Sequence, residues 1–270
     1  MGKHYIPQFL LRGFTHEGAL HVFDRAAAQW FRSQPKSVAN ERDLWPEEVE
    51  TFITEEVEGP ARDAINRLRR RESLTEQDRS TLARYIAFLW KRVPAGRGRF
   101  LSNIPEVAEA VRRDLIPKLA SEDQRIKANA YIDKNIANPP AALWHESMKT
   151  EFKLDVEGTI ARMDWQIVHT NAPSYLASDH PVFFFAADGI GRPTSELTIP
   201  FSSRAALICR HAAGHTPLHI DAQPYQVREV NRRTIFNATR FIFAETKEHW
   251  MVDFVKKPHA PVRTGLERRR

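Results

Sequence analysis

Apolar residues recur along this chain with two different periods, and the change from one to the other divides it. Val49, Phe52, Ile53, Val57, Ala61, Ala64, Ile65 and Leu68 stand three or four residues apart, the spacing that lines one face of an α-helix. Gly59-Pro60 falls inside that run and predicts a kink, because proline lacks the N–H that the helical ladder needs. Thr75-Glu76-Gln77-Asp78 has the form of a capping box opening the next helix. Its core stripe is Leu82, Tyr85, Ile86 and Leu89, and Pro94 closes it. Two more helices are predicted near Pro105–Leu119 and Glu122–Ile136, and after Pro139-Pro140 a last one passes through Leu143 and Met148.

Both ends of the chain read differently. Tyr5 to Phe14 predicts a short helix with Pro7 in its first turn, where a missing N–H costs nothing, and Gly13 near its C-cap. Leu20-His21-Val22-Phe23 and Trp30-Phe31-Arg32 flank a polar stretch and predict a hairpin. Beyond about residue 150 the strand formers gather: Trp165 to Val168, Tyr175-Leu176, Val182 to Phe185, Leu197 to Ile199, Ala206 to Ile208 and Phe241 to Phe243, with a helix over Tyr225–Thr239. The fold class is therefore α+β, a helical middle segment (about 46–149) packed with a mainly antiparallel sheet from the N-terminal hairpin and the C-terminal half (about 150–255). One domain over 1–255 is expected, followed by a basic mobile tail, 256–270.

Charge sharpens the picture only at that tail. The net charge is +6, with a pI near 9.5. Lys256, Lys257, Arg263, Arg268, Arg269 and Arg270 against Glu267 supply five of those six charges. A near-neutral body argues against nucleic-acid binding as the main activity, leaving a weak attraction of the tail to polyanions. The single cysteine, Cys209, excludes an internal disulfide and a cysteine-based zinc cluster, and its apolar neighbours predict a buried strand. With no apolar stretch long enough for a signal peptide or a membrane span, a cytoplasmic location and no membrane partner are expected.

Several residues carry candidate chemistry, each with a plain structural alternative. His4 is a ring that binds metals and titrates near neutrality, or a ring that simply bonds a carbonyl. Eight acids between Glu41 and Glu58 face one base, Arg42. On an α-helix Glu55 and Glu58, three apart, share a side as a divalent metal requires, while a solvated acidic face with Glu58 pairing Arg62 is the alternative. Gly96-Arg97-Gly98-Arg99 offers a flexible basic loop for a phosphate but no P-loop motif, and Arg92 either holds an anion or is the buried partner of a helix glutamate. Asp179 in Ser178-Asp179-His180-Pro181 reads as an Asx turn or as a metal ligand at a strand end. No Gly-x-Ser-x-Gly elbow surrounds Ser178, which argues against a nucleophile there. His211, His215 and His219 recur every four residues, but Gly214 and Pro217 interrupt any helix that would align them for zinc.

Three blocks in order, His4-Tyr5-Ile6-Pro7-Gln8-Phe9-Leu10-Leu11-Arg12-Gly13-Phe14, Arg92-Val93-Pro94 and Ser178-Asp179-His180-Pro181-Val182, resemble the bacterial family known as domain of unknown function 4238. Asn40-Glu41 and Ile199-Pro200-Phe201-Ser202 extend the resemblance over nearly the whole chain. One departure is His180, where the family pattern has Asn. The resemblance implies membership and no activity, so function rests on the residues. They suggest a metal-assisted hydrolase of a phosphodiester or other anionic substrate, whether a small molecule or a nucleic acid. His4, Glu55 and Asp179 would serve as catalytic and divalent-metal-binding residues, and Gln8, Arg12 and Arg92 would bind substrate. The rival is a non-catalytic binding or regulatory module in which the same polar residues form a structural network.

Overall fold

A computed structural model describes residues 2–150, 155–185, 189–211 and 217–261. The chain forms two compact units, Met1–Val93 with Phe152–Arg270, and Pro94–Glu151, where the sequence suggests one.

The larger unit opens with strand β1 (Lys3–His4), helix α1 (Gln8–Leu11) and a 3-10 turn over Arg12–Phe14. Pro7 sits just ahead of α1 rather than in its first turn. Gly13 is required by close approach, since a Cβ there would stand 2.6 Å from the Phe201 carbonyl oxygen. The hairpin follows as β2 (Leu20–Asp24) and β3 (Gln29–Ser33), with Phe23 opposite Trp30 and their rings 5.4 Å apart. β4 (Asn40–Glu41) pairs back with β1. Then come α2 (Glu47–Phe52), a π-helical segment Ile53–Glu58, α3 (Gly59–Arg69) and α4 (Glu76–Arg92). The capping box is formed, Thr75 accepting the Asp78 N–H and the Asp78 carboxylate accepting the Thr75 N–H.

The smaller unit is helical: α5 (Pro94–Asp114), α6 (Glu122–Ala137) and α7 (Ala141–Lys149). Pro94 does not merely end α4; it starts α5, where a missing N–H is tolerated. Gly96 to Arg99 accordingly lie in a helix and form no phosphate-wrapping loop, and α5 runs through Pro105. Trp144 is buried, its ring 5.6 Å from that of Phe100.

Back in the larger unit follow α8 (Val156–Arg162), β5 (Asp164–His169), β6 (Ala177–Ser178), β7 (Phe183–Phe184), β8 (Glu196–Ser202), β9 (Ala205–Arg210), β10 (His219–Asp221), α9 (Pro224–Asn237), β11 (Phe241–Ala244) and α10 (His249–Phe254). They build two sheets, β10-β5-β9-β8-β7 and β3-β2-β11-β6, antiparallel throughout except for the β10–β5 pair. The N-terminal hairpin therefore returns to the C-terminal strand β11, as its pattern suggests. Leu197, Ile199, Phe201, Leu207 and Cys209 have no exposure, and burial pushes the Cys209 thiol far up. Near-continuous apolar strands of this kind are covered on both faces. No helix among the described residues is long and apolar enough to cross a membrane.

Candidate functional site

Ahead of the Gly59-Pro60 step the coil widens. Pro60 can donate nothing to the ladder, and the Gly59 N–H reaches the Thr54 carbonyl, five residues back, which defines a π-turn. Such turns recur at functional sites. An α-helix rotates about 100° per residue, which would set Glu58 about 80° around the axis from Glu50. Across the insert the coil turns only roughly 80° per residue, so Glu58 comes nearly into line with Glu50. By the same geometry Glu55 swings more than about 100° from Glu58. It is exposed.

Glu50 and Glu58 line a pocket of about 220 Å³ with Arg62 of α3, Arg92 of α4, and His4, Gln8 and Arg12 of the N-terminal segment. Arg92 closes its inner side. Only 2% exposed, it donates to the Glu58 carboxylate and to the His4 carbonyl, so its charge is matched where it is desolvated. Its guanidinium lies 5.3 Å from the Trp45 ring centre and 5.9 Å from that of Phe88. The Trp45 indole N–H donates to Glu50 Oε2 at 2.5 Å. His4 Nε2 is 3.2 Å from the Lys36 carbonyl oxygen. Tyr85 is buried behind Phe9, the rings 5.7 Å apart, and burial, reinforced by the Glu58 charge, pushes its hydroxyl far up, so it stays a neutral phenol.

At the pocket rim the balance is different. Arg12 and Arg62 are exposed, and among the described residues neither has a carboxylate partner. The Arg62 guanidinium rests 5.6 Å from the Phe9 ring centre.

Of the residues singled out from the sequence, the fold brings together His4, Gln8, Arg12 and Arg92, and leaves Glu55 and Asp179 outside. Asp179 is 3% exposed and accepts the N–H groups of Thr239 at 2.8 Å, Arg240 at 2.7 Å and Phe241 at 3.1 Å. Burial raises its pKa and those three bonds oppose the rise. It caps the backbone leading into β11, some sixty residues away, rather than its own turn or a metal. Ser178 Oγ accepts the His180 N–H at 3.3 Å. Of the trio His4, Glu55 and Asp179 only His4 lines the pocket, and among the described residues no group of three His, Cys, Asp or Glu side chains is placed to hold a metal ion. The anticipated Glu58–Arg62 pair gives way to Glu58–Arg92. His211 lies against the Ile190 carbonyl and His219 against His169, while His215 falls outside the described residues. Glu50, Arg62 and Trp45 carried no site reading from the sequence, and Glu58 only one beside Glu55; for Glu50 and Glu58 the signal is the Gly-Pro step, which shifts the helical register by one.

Fold and pocket together define an α+β protein with a small polar recess at its N-terminal segment. The chain belongs to the family described as protein of unknown function (DUF4238), whose pattern matches residues 3–248. No curated protein and no solved structure gives a significant match.

Proposed function

We propose that this pocket binds a small anionic ligand through Arg12 and Arg62, with the Gln8 amide as a further donor. The observation that carries the reading is the pair of guanidinium groups left without carboxylates at the mouth of a recess whose buried Arg92 is already matched by Glu58. Guanidinium forks fit phosphate and carboxylate oxygens two at a time. A volume of about 220 Å³ is below the roughly 300–1,000 Å³ of drug-sized sites, which suits a single phosphate or carboxylate head with a short substituent.

The test is calorimetric titration with inorganic phosphate at low and high salt. Arg12→Ala and Arg62→Ala should each weaken binding about tenfold, and salt should weaken wild-type binding because the rim charges are exposed. Absence of binding by inorganic phosphate and by phosphate monoesters alike, or binding untouched in both variants, overturns the reading.

Hydrolysis of the bound ligand is a second reading, favoured by His4. A carbonyl only accepts, so in the neutral ring Nε2 carries the proton toward Lys36 and Nδ1 keeps a lone pair, as a general base requires. Among the described residues no three His, Cys, Asp or Glu side chains could hold a metal ion, so in this reading the base acts directly on water. Phosphodiester turnover that disappears in His4→Gln while phosphate still binds supports this reading; turnover unchanged in that variant removes His4 from the chemistry.

A further inference from the structure

Charge accounting inside the pocket says more about the ligand than that it is an anion. Arg92 and Glu58 neutralise each other, which leaves Arg12 and Arg62 facing one further carboxylate, Glu50. Among the described residues Glu50 has no cationic partner. Its carboxylate is held in place by the bond from the Trp45 indole, a side chain only 2% exposed, so it cannot simply swing out to solvent without breaking that contact. A plain anion entering the pocket would meet Glu50 as an unmatched like charge. A ligand with its own positive group would satisfy both ends.

We propose that the ligand is a small zwitterion, its anionic group held by Arg12 and Arg62 and a protonated amine a few bonds away held by Glu50. This rests on the anion reading above and narrows it. The π-turn is what makes the arrangement available, because it aligns Glu50 with Glu58 on the pocket side of the helix. The indole bond fixes one carboxylate oxygen and leaves the other as acceptor, so the site is preorganised for an N–H donor. Selectivity then has both an attractive and a repulsive part: Glu50 recruits the amine and rejects the same anion without it.

Three probes separate the possibilities on the full chain by calorimetry near pH 7: 2-aminoethyl phosphate, ethyl phosphate and 2-aminoethanol. Wild type should bind 2-aminoethyl phosphate at least about tenfold more tightly than ethyl phosphate, and 2-aminoethanol too weakly to measure. Glu50→Gln keeps an oxygen for the Trp45 indole and removes the charge. It should bring the two phosphates within about threefold of each other, chiefly by tightening ethyl phosphate. The same comparison with β-alanine and propionate distinguishes a carboxylate head from a phosphate head. Equal or tighter binding of both amine-free anions by wild type, or a preference that survives Glu50→Gln, overturns the zwitterion and leaves the anion site standing. If none of the anions binds, both fall together.

Discussion

Two arginines in the larger unit are almost wholly removed from solvent, Arg92 at 2% and Arg233 at 0% exposure, and what surrounds them separates architecture from chemistry. Arg233, on α9, donates to Glu196 of β8 at 2.8 Å and to Glu229 at 3.2 Å, and lies 5.3 Å and 4.9 Å from the Phe183 and Phe185 ring centres. Both carboxylate side chains are 5% exposed. Along the same helix Asn231 accepts the Leu176 N–H and donates to the Ser174 carbonyl, while Asn237 donates to the His180 and Val182 carbonyls. Every group there is turned toward another part of the fold. Arg92 has one carboxylate, 14% exposed, and a cavity beside it. The sealed cluster fixes α9 to the sheet; the open one leaves donors and acceptors for something else.

Removing each arginine tests that contrast most strongly. Arg233→Leu removes a buried guanidinium from two carboxylates that are each 5% exposed, Glu196 and Glu229, the latter keeping Arg232, and should cost about 3–5 kcal/mol of unfolding free energy. Arg92→Leu strands one carboxylate that water can reach through the pocket, and should cost about 2–3 kcal/mol. Urea unfolding of the two variants measures both. A larger loss for Arg92→Leu would reverse the comparison and make the pocket the structural centre.

The same contrast explains what could be read beforehand. Periodicity located α3 and α4, because burial on one face leaves its mark at every third or fourth residue. The hairpin and the strands around Trp165, Phe183, Ile199, Leu207 and Ile242 were read instead from runs of strand-forming residues; Tyr175-Leu176 falls just ahead of β6, and β10 was not anticipated. His4, Gln8 and Arg12, all named from one block of the sequence, line the same pocket from β1, α1 and the 3-10 turn after it. Glu55 was grouped with Glu58 because a 3.6-residue period was assumed through the segment Ile53–Glu58, which is π-helical. Asp179 was open to a ligand reading because its partners, Thr239 to Phe241, are distant in sequence, and nothing local distinguishes a ligand from a long-range cap. Glycines at 96 and 98 suggested a loop, yet α5 carries them within a long helix.

A third polar cluster is less enclosed than that of Arg233, although its His169 ring is buried, and it can titrate. His169 is 5% exposed, and its Nε2 is 3.0 Å from His219 Nδ1, whose Nε2 lies 2.8 Å from the Glu72 carbonyl oxygen. Burial, then the nearby Arg71 and His219, hold His169 down to about 4, with Asp221 opposing. In the unfolded chain it would titrate near about 6.5. Between those values the unfolded state binds a proton that the folded state does not, so stability falls as pH is lowered from about 6.5 and the loss is complete near 4. Allowing for solvent screening around the half-buried His219, the effect should be about 2 kcal/mol. Urea midpoints between pH 7 and 4 should fall more steeply for wild type than for His169→Gln. Parallel profiles would mean that the imidazole is not sealed, and would weaken the division between closed and open clusters.

The smallest expected stability change probes whether the open cluster depends on its unusual turn. Pro60→Ala restores an N–H at the one position where the α-helical ladder lacks a donor, and lets the chain from Glu50 to Arg62 relax toward a regular helix. A regular helix sets Glu58 about 80° away from Glu50, and since buried Arg92 holds Glu58, Glu50 is the one that turns from the pocket. Exposed proline-to-alanine changes near a helix start alter stability by less than about 1 kcal/mol, so thermal unfolding should scarcely move. Affinity for 2-aminoethyl phosphate should nevertheless fall threefold or more, because Glu50 no longer stands on the pocket side of the helix to receive the amine. Were affinity unchanged while amide exchange at residues 54–58 reported an α-helix, the pocket would owe nothing to the π-turn, and its polar lining would be set by the N-terminal segment and α4 alone.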